Sequence, residues 1–251
     1  MSLLTVTNLS KRFGTDEIIR DLSLTVENEE FVSIIGPSGS GKSTIFNLVG
    51  GLITPDEGTI QLETKTINGT RGEISYMPQT PSLFPWRTVV DNALLGQELK
   101  GKPDREKAKQ MLEIAGLSSY LQAYPHELSG GMKQRVAFIR ALLSPQAVIC
   151  LDEPFSALDE LTRLTMQKWL LSIWEENRKT VLFVTHNIDE ALFLSDRILV
   201  LSNKPAKVKA EFHIPFGRPR DESILLTEEF LQWKREIFYT LQGSGDNGKN
   251  D

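Results

Sequence analysis

A glycine-rich segment near the N-terminus has the residue types that bind a triphosphate. It matches G-x-x-x-x-G-K-S at every position, between the apolar run FVSII and a segment of helical spacing from Lys42 to Leu52, so an incidental glycine-rich turn is the weaker interpretation. Glycines let successive backbone N–H groups face phosphate oxygens, and the following helix adds the positive end of its dipole. Lys42 can neutralise the β- and γ-phosphates, and the Ser43 hydroxyl suits Mg²⁺. The predicted nucleotide contacts of this segment are Gly36, Pro37, Ser38, Gly39, Ser40, Gly41, Lys42, Ser43 and Thr44.

Two adjacent carboxylates, Asp152 and Glu153, follow a second apolar run, AVICL, which is typical of a buried strand. In parallel sheets, ligands lie outside the carboxyl ends of the strands, so this pair can reach the same phosphates. We predict that Asp152 holds Mg²⁺ through water and that Glu153 polarises the attacking water. The alternative is an acidic turn that caps a helix, because Pro154 follows at once, but the phosphate loop favours the hydrolytic interpretation.

A third motif, LSGGMKQR, opens a segment of helical spacing and contains Ser129, Gly130 and Gly131. Two adjacent glycines at the start of a helix are unfavourable in backbone entropy. They are explained if bare N–H groups and the Ser129 hydroxyl must approach an anion. Taken alone, the motif is equally compatible with a simple serine cap.

The apolar patterns around these motifs predict the elements that position them. The β-like runs LLTVTNL and LSLTV open the chain, and TIQLE, after the turn PDEG, alternates as an edge strand. From about residue 86 to 144, three segments have helical periodicity. Strands then alternate with helices again through AVICL, TVLFV and RILVL, with helices at about 159–177, 188–194 and 226–241. The pattern predicts an α/β fold with a mostly parallel sheet and an inserted helical block.

The composition limits the class of protein. Of the 251 residues, 40% are hydrophobic and 24% are charged, which excludes a disordered chain, a collagen and a small disulfide-stapled fold. The net charge of −5 disfavours a protein that coats nucleic acid. The single cysteine, Cys150, cannot form an internal disulfide, which is typical of a reducing compartment. No apolar run is long enough to span a bilayer and the first residues lack a secretion-signal pattern, so we expect a cytoplasmic protein.

The phosphate loop, the LSGG motif and the acidic strand end follow the order found in the ATP-binding-cassette (ABC) ATPases, and the chain resembles that family from about Leu3 to Asn203. The resemblance implies a P-loop NTPase core, an antiparallel β subdomain and an inserted helical subdomain. It implies a single ABC ATPase domain over 1–242 with the helical insertion at about 86–144, and we expect the polar tail 243–251 to be disordered. In the family, the LSGG helix closes over the γ-phosphate held by a second copy. We therefore expect a head-to-tail homodimer that sandwiches two ATP molecules with Mg²⁺.

Four further residues match positions of the family one at a time. Phe13 resembles the aromatic residue that stacks on adenine, with a core phenylalanine as the alternative. Gln79 resembles the glutamine that senses Mg²⁺ and the attacking water, with a polar turn residue as the alternative. Asp159 resembles the aspartate that communicates across the dimer. His186, which follows the strand TVLFV, resembles the histidine that contacts the γ-phosphate, although a lone histidine is often structural.

ABC ATPases drive several unlike machines, so two classes of function are compared. The first is the energy-coupling subunit of a membrane transporter, and the second is a soluble ABC ATPase that acts in DNA repair or on ribosomes. DNA-repair members carry a coiled coil or a zinc-binding insertion, and the segment from Ser43 to Ser129 holds neither heptads nor cysteine clusters. Ribosome-acting members carry two cassettes in one chain, whereas this sequence contains one phosphate loop and one LSGG motif. The residues therefore favour transport, with no nucleic-acid partner.

A transporter subunit without spans requires transmembrane permease subunits, and we expect it at the cytoplasmic face of the cell membrane. The stretch from Pro81 to Trp86 is the predicted permease contact, coupled through Gln79, and a packed loop around Trp86 is the alternative. The segments LFPWRTVVDNALLG and VTHNIDEALFLSDRI look most like bacterial importers of nitrate, sulfonates or taurine, close to importers of thiamine-precursor pyrimidines. Such importers imply a solute-binding protein as an indirect partner. Asn187 departs from the aspartate usual in this group, but His186 supplies the phosphate contact.

Overall fold

The structure is a computed structural model that describes residues 2–156 and 158–243. Its strands are β1 Ser2–Phe13, β2 Asp16–Glu27, β3 Phe31–Ile35, β4 Glu57–Leu62, β5 Lys65–Thr66, β6 Ser75–Met77, β7 Val148–Asp152, β8 Thr180–Val184, β9 Arg197–Leu201 and β10 Val208–His213. Its helices are α1 Lys42–Val49, α2 Val89–Glu98, α3 Arg105–Ile114, α4 Gly130–Leu143, α5 Glu160–Asn177, α6 Ile188–Leu194 and α7 Glu228–Gln242. Short 3₁₀ turns cover Ser118–Tyr120, Pro125–Glu127 and Glu222–Leu226. Of the tail predicted to be disordered, Gly243 caps α7 and residues 244–251 lie outside the described part.

The larger sheet has six strands in the order β10-β9-β3-β8-β7-β6. The five strands from β9 to β6 run parallel, and β10 pairs with β9 in the antiparallel direction. β3, β7, β8 and β9 are buried along their whole length, as expected for strands that are covered on both faces. The predicted parallel sheet is confirmed, and FVSII, TVLFV and RILVL form strands with the predicted bounds.

Two strands of this sheet, β6 and β10, were not predicted from the sequence. β6 has three residues and pairs with β7, so no apolar run marks it. β10 alternates between half-buried and exposed residues because it lies at the edge of the sheet. β6 owes its position to pairing with β7, which is distant in sequence, whereas β10 pairs with β9, the strand just before it in the chain.

The smaller sheet is antiparallel, with the order β2-β1-β4-β5. β1 and β2 form a hairpin that is longer than the runs LLTVTNL and LSLTV suggested. The predicted edge strand TIQLE lies in β4, but the two-residue strand β5 continues the sheet beyond it. Buried side chains of this sheet form one apolar cluster with side chains of α1 and the larger sheet. The hairpin end that carries Phe13 thereby lies beside the start of α1.

The helices α2, α3 and α4 form the helical block, and their buried side chains share one apolar cluster with α5. α2 approaches the end of α4 closely, since a Cβ at Gly96 would lie 2.7 Å from Ser144 Oγ. The three helices fall inside the predicted insertion, whose domain boundaries at about 86 and 144 stay a prediction. Within residues 2–156 and 158–243, no helix is long and apolar enough to cross a bilayer.

Asn92 of α2 is fully buried and holds the loop that precedes its helix. Its Oδ1 accepts a hydrogen bond from the Phe84 N–H at 2.8 Å. Its Nδ2 donates to the carbonyls of Phe84, Arg87 and Thr88 at 3.0–3.1 Å. Every polar atom of the side chain thus has a partner, as burial requires. The stretch that ends at Trp86 is thereby attached to the helical block.

We expect Asn92→Ala to lower the free energy of unfolding by about 1–3 kcal/mol, because the N–H of Phe84 and several carbonyls lose a buried partner. Urea titration followed by circular dichroism measures the loss. Asn177→Ala is the control, since the Asn177 amide donates to a carbonyl of its own helix. An equal loss in both variants would contradict the role assigned to Asn92.

Candidate nucleotide-binding and hydrolysis site

A cavity of about 410 Å³ lies beside the glycine-rich loop, where β3 ends and α1 begins. The first N–H groups of a helix have no partner inside the helix and are available to an anion. Gly41 has a φ of 102°, and a Cβ there would lie 2.9 Å from Ile18 Cγ2, so the loop requires glycine at this point. Ser40 Oγ is buried in the same loop, with no hydrogen-bond partner among residues 2–156 and 158–243. The lining residues are Phe13, Ile18, Ser38, Gly39, Gly41, Lys42, Ser43, Thr44, Glu153 and Lys204.

Lys42 lies inside the loop, with its ammonium group against backbone oxygens. Nζ donates to the carbonyls of Gly36 and Pro37, each at 2.9 Å. Burial lowers the pKa of Lys42, and the charges of Glu153 and Asp152 act in the opposite direction. The loop thus holds a cation at the wall of the cavity, where phosphate oxygens can reach it.

Asp152, the last residue of β7, meets two hydroxyl groups. The Ser43 side chain hydrogen-bonds to its carboxylate, and Tyr76 Oη donates to Oδ2 at 3.1 Å. Burial raises the pKa of Asp152, while the two hydrogen bonds and the charge of Lys42 act to lower it. A carboxylate beside a serine hydroxyl supplies the hard oxygen donors that Mg²⁺ prefers. The structure thus brings Ser43 and Asp152 together, and their donor chemistry fits the predicted metal.

Tyr76 is a site residue that the sequence analysis missed. The parallel register of β6 and β7 pairs Tyr76 with Cys150, two residues before Asp152. Its ring packs edge-on against Phe46, with the centroids 6.2 Å apart. Burial raises the pKa of Tyr76, so its hydroxyl remains a hydrogen-bond donor. Its contact with Asp152 depends on strand pairing, which no local signal in the sequence reveals.

Glu153 and His186 follow the adjacent parallel strands β7 and β8, and their side chains meet. His186 Nδ1 lies 3.2 Å from Glu153 Oε2. Glu153 has a φ of 43°, a left-handed conformation that is strained for a residue with a side chain. Its N–H donates to the Val184 carbonyl at 2.9 Å, and its side chain lines the cavity. A carboxylate at this position can accept a proton from water. Its contact with the imidazole also fixes the orientation of the two side chains.

Phe13 ends β1 and forms another wall of the cavity. The residue is 51% exposed, so it is not the core phenylalanine of the alternative interpretation. Lys11 Nζ lies 5.6 Å from the centroid of its ring. Lys204, which the sequence analysis did not identify, also lines the cavity, and its Nζ lies 3.0 Å from Asp16 Oδ2. An exposed ring beside a cavity can stack on a purine base.

Gln79 follows the end of β6 by two residues, and its side chain contacts the loop that follows β7. Its Nε2 donates to Ser156 Oγ at 3.0 Å, and that hydroxyl donates to the Glu153 carbonyl at 3.0 Å. Gln134 of α4 is a further residue that the sequence analysis did not assign to the site, and it is buried. Its Nε2 donates to the Pro154 carbonyl and, at 3.5 Å, to the Gln79 carbonyl. The LSGG helix, the Gln79 segment and the loop after β7 are therefore linked by hydrogen bonds.

The remaining predicted contacts lie at the starts of α4 and α5, here called the second surface, and are not among the described residues that line the cavity. Ser129 Oγ caps α4 by accepting from the Met132 N–H at 3.3 Å. Asp159 Oδ1 caps α5 by accepting from the Thr162 N–H at 3.1 Å. The two helix starts are neighbours, because a Cβ at Gly131 would lie 3.8 Å from the methyl carbon of Thr162. The members of this second surface are Ser129, Gly130, Gly131 and Asp159.

Comparisons with known proteins identify the family of the chain. The family described as ABC transporter matches residues 19–156. The aliphatic sulfonates import ATP-binding protein SsuB of Bacillus thuringiensis subsp. konkukian is 39% identical over 94% of this chain and 93% of its own. The formylaminopyrimidine import ATP-binding protein ThiZ of Halalkalibacterium halodurans is 42% identical over 85% of this chain and 85% of its own.

Among solved structures, the dimeric ATP-binding cassette MJ0796 bound to ADP and Pi is similar to this fold with a TM-score of 0.73. The two chains are 31% identical, over 85% of this chain and 100% of that chain. The chain therefore belongs to the ABC transporter family of ATP-binding proteins, and it is an ATPase.

Proposed function

We propose that two copies of this chain pair head-to-tail, share two Mg²⁺-ATP sites and use the hydrolysis to drive an importer of a small solute. The observation that carries the proposal is the contact of Glu153 with His186 at the cavity beside the phosphate loop. The second surface, with Ser129 and Asp159, supplies none of the described residues that line that cavity. We infer that a second chain brings this surface to the cavity, and identical chains satisfy this with a two-fold axis.

Binding of the nucleotide uses the loop from Gly36 to Thr44 for the phosphates and Phe13 for adenine. Lys42 exchanges its contacts with the loop carbonyls for contacts with phosphate oxygens, which gives the ammonium charge a better partner. Ser43 and Asp152 would hold Mg²⁺, with Gln79 as the further predicted ligand. A metal held by these residues would supply neutralisation of the phosphate charge.

Hydrolysis depends on positioning and charge neutralisation more than on covalent work by the protein. Glu153 orients the attacking water and accepts its proton, as the water oxygen bonds to the γ-phosphorus and the bond from that phosphorus to ADP breaks. His186 is held by Glu153 and faces the γ-phosphate. Ser129 and its two following glycines, from the second copy, offer N–H groups to the same phosphate.

The import role rests on the two relatives whose names assign import of aliphatic sulfonates and of formylaminopyrimidine. The solute is accordingly a small polar molecule of the sulfonate or pyrimidine type. The chain then lies at the cytoplasmic face of the membrane, bound to permease subunits and serving a solute-binding protein indirectly. The rings of Phe84 and Trp86 are 5.1 Å apart, and Trp86 is 71% exposed, which suits a contact with a short permease helix.

We expect Glu153→Gln to keep ATP binding and to reduce turnover to less than about a tenth of the wild-type rate, because an amide does not accept the proton of water. Size-exclusion chromatography with saturating ATP should show the variant as a dimer. Glu176→Gln changes an exposed carboxylate of α5 and serves as the control. A variant that stays monomeric with bound ATP at high concentration would rule out the shared sites.

We expect Lys42→Ala to weaken ATP binding by at least about tenfold, or about 1.4 kcal/mol, because the cation that offsets the phosphate charge is lost. The rate of hydrolysis should fall with it. A fluorescence titration with a labelled ATP analogue measures the affinity, and Lys207→Ala, at an exposed lysine, is the control. Unchanged affinity in Lys42→Ala would refute the assignment of Lys42.

We expect Trp86→Ala to weaken copurification with the permease subunits by at least about tenfold, because truncating a large aromatic anchor removes about 2 kcal/mol or more from a protein interface. The measurement is the yield of complex after coexpression. Leu99→Ala, at an apolar residue that is 80% exposed on the same helical block, is the control. Equal yields for Trp86→Ala and wild type would place the permease contact elsewhere.

A further inference from the structure

Glu190, in the first turn of α6, fixes the turn that carries His186. The residue is only 4% exposed. Thr185 Oγ1 donates to Glu190 Oε2 at 2.5 Å, and the Asn187 N–H donates to the same Thr185 oxygen at 3.0 Å. The residues on both sides of His186 are therefore held by bonds that end on one buried carboxylate.

Arg163, in the first turn of α5, joins this carboxylate to the loop before its helix. Its Nε lies 3.5 Å from Glu190 Oε1. Its Nη2 donates to the carbonyl of Leu158, the residue next to Asp159, at 2.9 Å. A guanidinium has five donors in a rigid plane, so it can bridge two groups that a lysine ammonium would hold less firmly.

The charges around this ion pair show why it is more than a surface contact. Burial raises the pKa of Glu190, and the Thr185 hydroxyl, the charges of Arg163 and His186 and the Gln167 side chain act in the opposite direction. A buried ion pair often adds little net stability, because desolvation offsets the attraction. Its placement between two functional segments is therefore the informative property.

We propose that Arg163 and Glu190 are positioning residues that make the His186 turn move together with the loop at Asp159. The inference rests on the proposed function, in which Asp159 meets the second copy and His186 faces the γ-phosphate. A displacement of the loop passes through the guanidinium and the carboxylate to the turn, and from His186 to Glu153, 3.2 Å away. Because coupling between two sites is reciprocal, nucleotide at His186 equally biases the loop.

The first test uses the three histidines of the chain, His126, His186 and His213, whose ring resonances can be assigned by substitution. Asp159→Ala removes the cap of α5 and perturbs the loop. In the otherwise wild-type full chain, we expect this change to shift the ring resonances of His186. In a chain that also carries Arg163→Met and Glu190→Gln, the same change should leave them in place. Equal shifts in both backgrounds would overturn the proposal.

The second test separates positioning from stability. Arg163→Met leaves a buried carboxylate without its cation and should lower Tm, whereas adding Glu190→Gln removes that charge and should recover most of Tm. We expect the double variant still to hydrolyse saturating ATP at least about fivefold more slowly than wild type, with KM within about twofold. Recovery of kcat together with Tm would mean that the pair only stabilises the fold.

The ion pair of Arg197 with Glu30 is the matched control. Its Nε–Oε1 distance is 2.7 Å and both side chains are largely buried. It lies at the other end of the sheet, since Glu30 precedes the first residue of β3 and the phosphate loop follows the last. Arg197→Met with Glu30→Gln should leave kcat of the folded protein and the His186 resonances unchanged. If this pair lowers kcat as much, the effect is not specific to Arg163 and Glu190.

The results that would contradict the proposed function differ from those that would contradict the positioning role of Arg163 and Glu190. If wild type lacks ATP hydrolysis, or Glu153→Gln does not dimerise with ATP, the shared site itself is wrong. If wild type hydrolyses ATP and Glu153→Gln dimerises, but Arg163→Met with Glu190→Gln has wild-type kcat, only the positioning role is wrong.

Discussion

The parallel register of the larger sheet brings the predicted reacting groups of this protein to the carboxyl end of its strands. Val184 of β8 is paired with Ile34 of β3 on one side and with Asp152 of β7 on the other. The phosphate loop, Glu153 and His186 therefore leave the sheet next to one another. Because paired strands are about 4.8 Å apart, segments that are distant in the sequence meet within the length of one phosphate chain. The rest of the site depends on this pairing.

The same end of the sheet gathers negative charge, which sets the electrostatic requirement of the site. Asp152 and Glu153 are adjacent, and the charge of Glu153 adds to burial in raising the pKa of Asp152. A triphosphate that entered alone would add repulsion, since Lys42 offers a single positive charge against it. A metal bound with the nucleotide would resolve the conflict, because it would offset the carboxylates while Lys42 offsets the phosphates. The donor chemistry thus fits a metal and a nucleotide together better than a nucleotide alone.

The sequence predicts the parts of this structure that depend on local patterns. FVSII and TVLFV are recognisable because a strand that is covered on both faces needs a continuous apolar run, and the glycine loop is recognisable because its backbone must wrap an anion. β6, Tyr76 and Gln134 escape such analysis. β6 exists through its pairing with β7, and the two side chains matter through atoms that a different region supplies. The direction of the Gln79 side chain, toward Ser156, is likewise a property of the assembled fold.

Ser129 and Asp159 are not among the described residues that line the cavity, and this bears on how two identical copies would cooperate in the proposed pairing. A two-fold axis would give each cavity the second surface of the other copy and would close the assembly with two equal sites. Within one chain, Arg163 contacts both Glu190, which holds the turn at His186, and the carbonyl of Leu158, next to Asp159. In the proposed pairing, the group offered to one site would thus be tied to the group that works in the other. Nucleotide that favours the paired arrangement at one site would then favour it at both, so the two sites would share one free energy of closure.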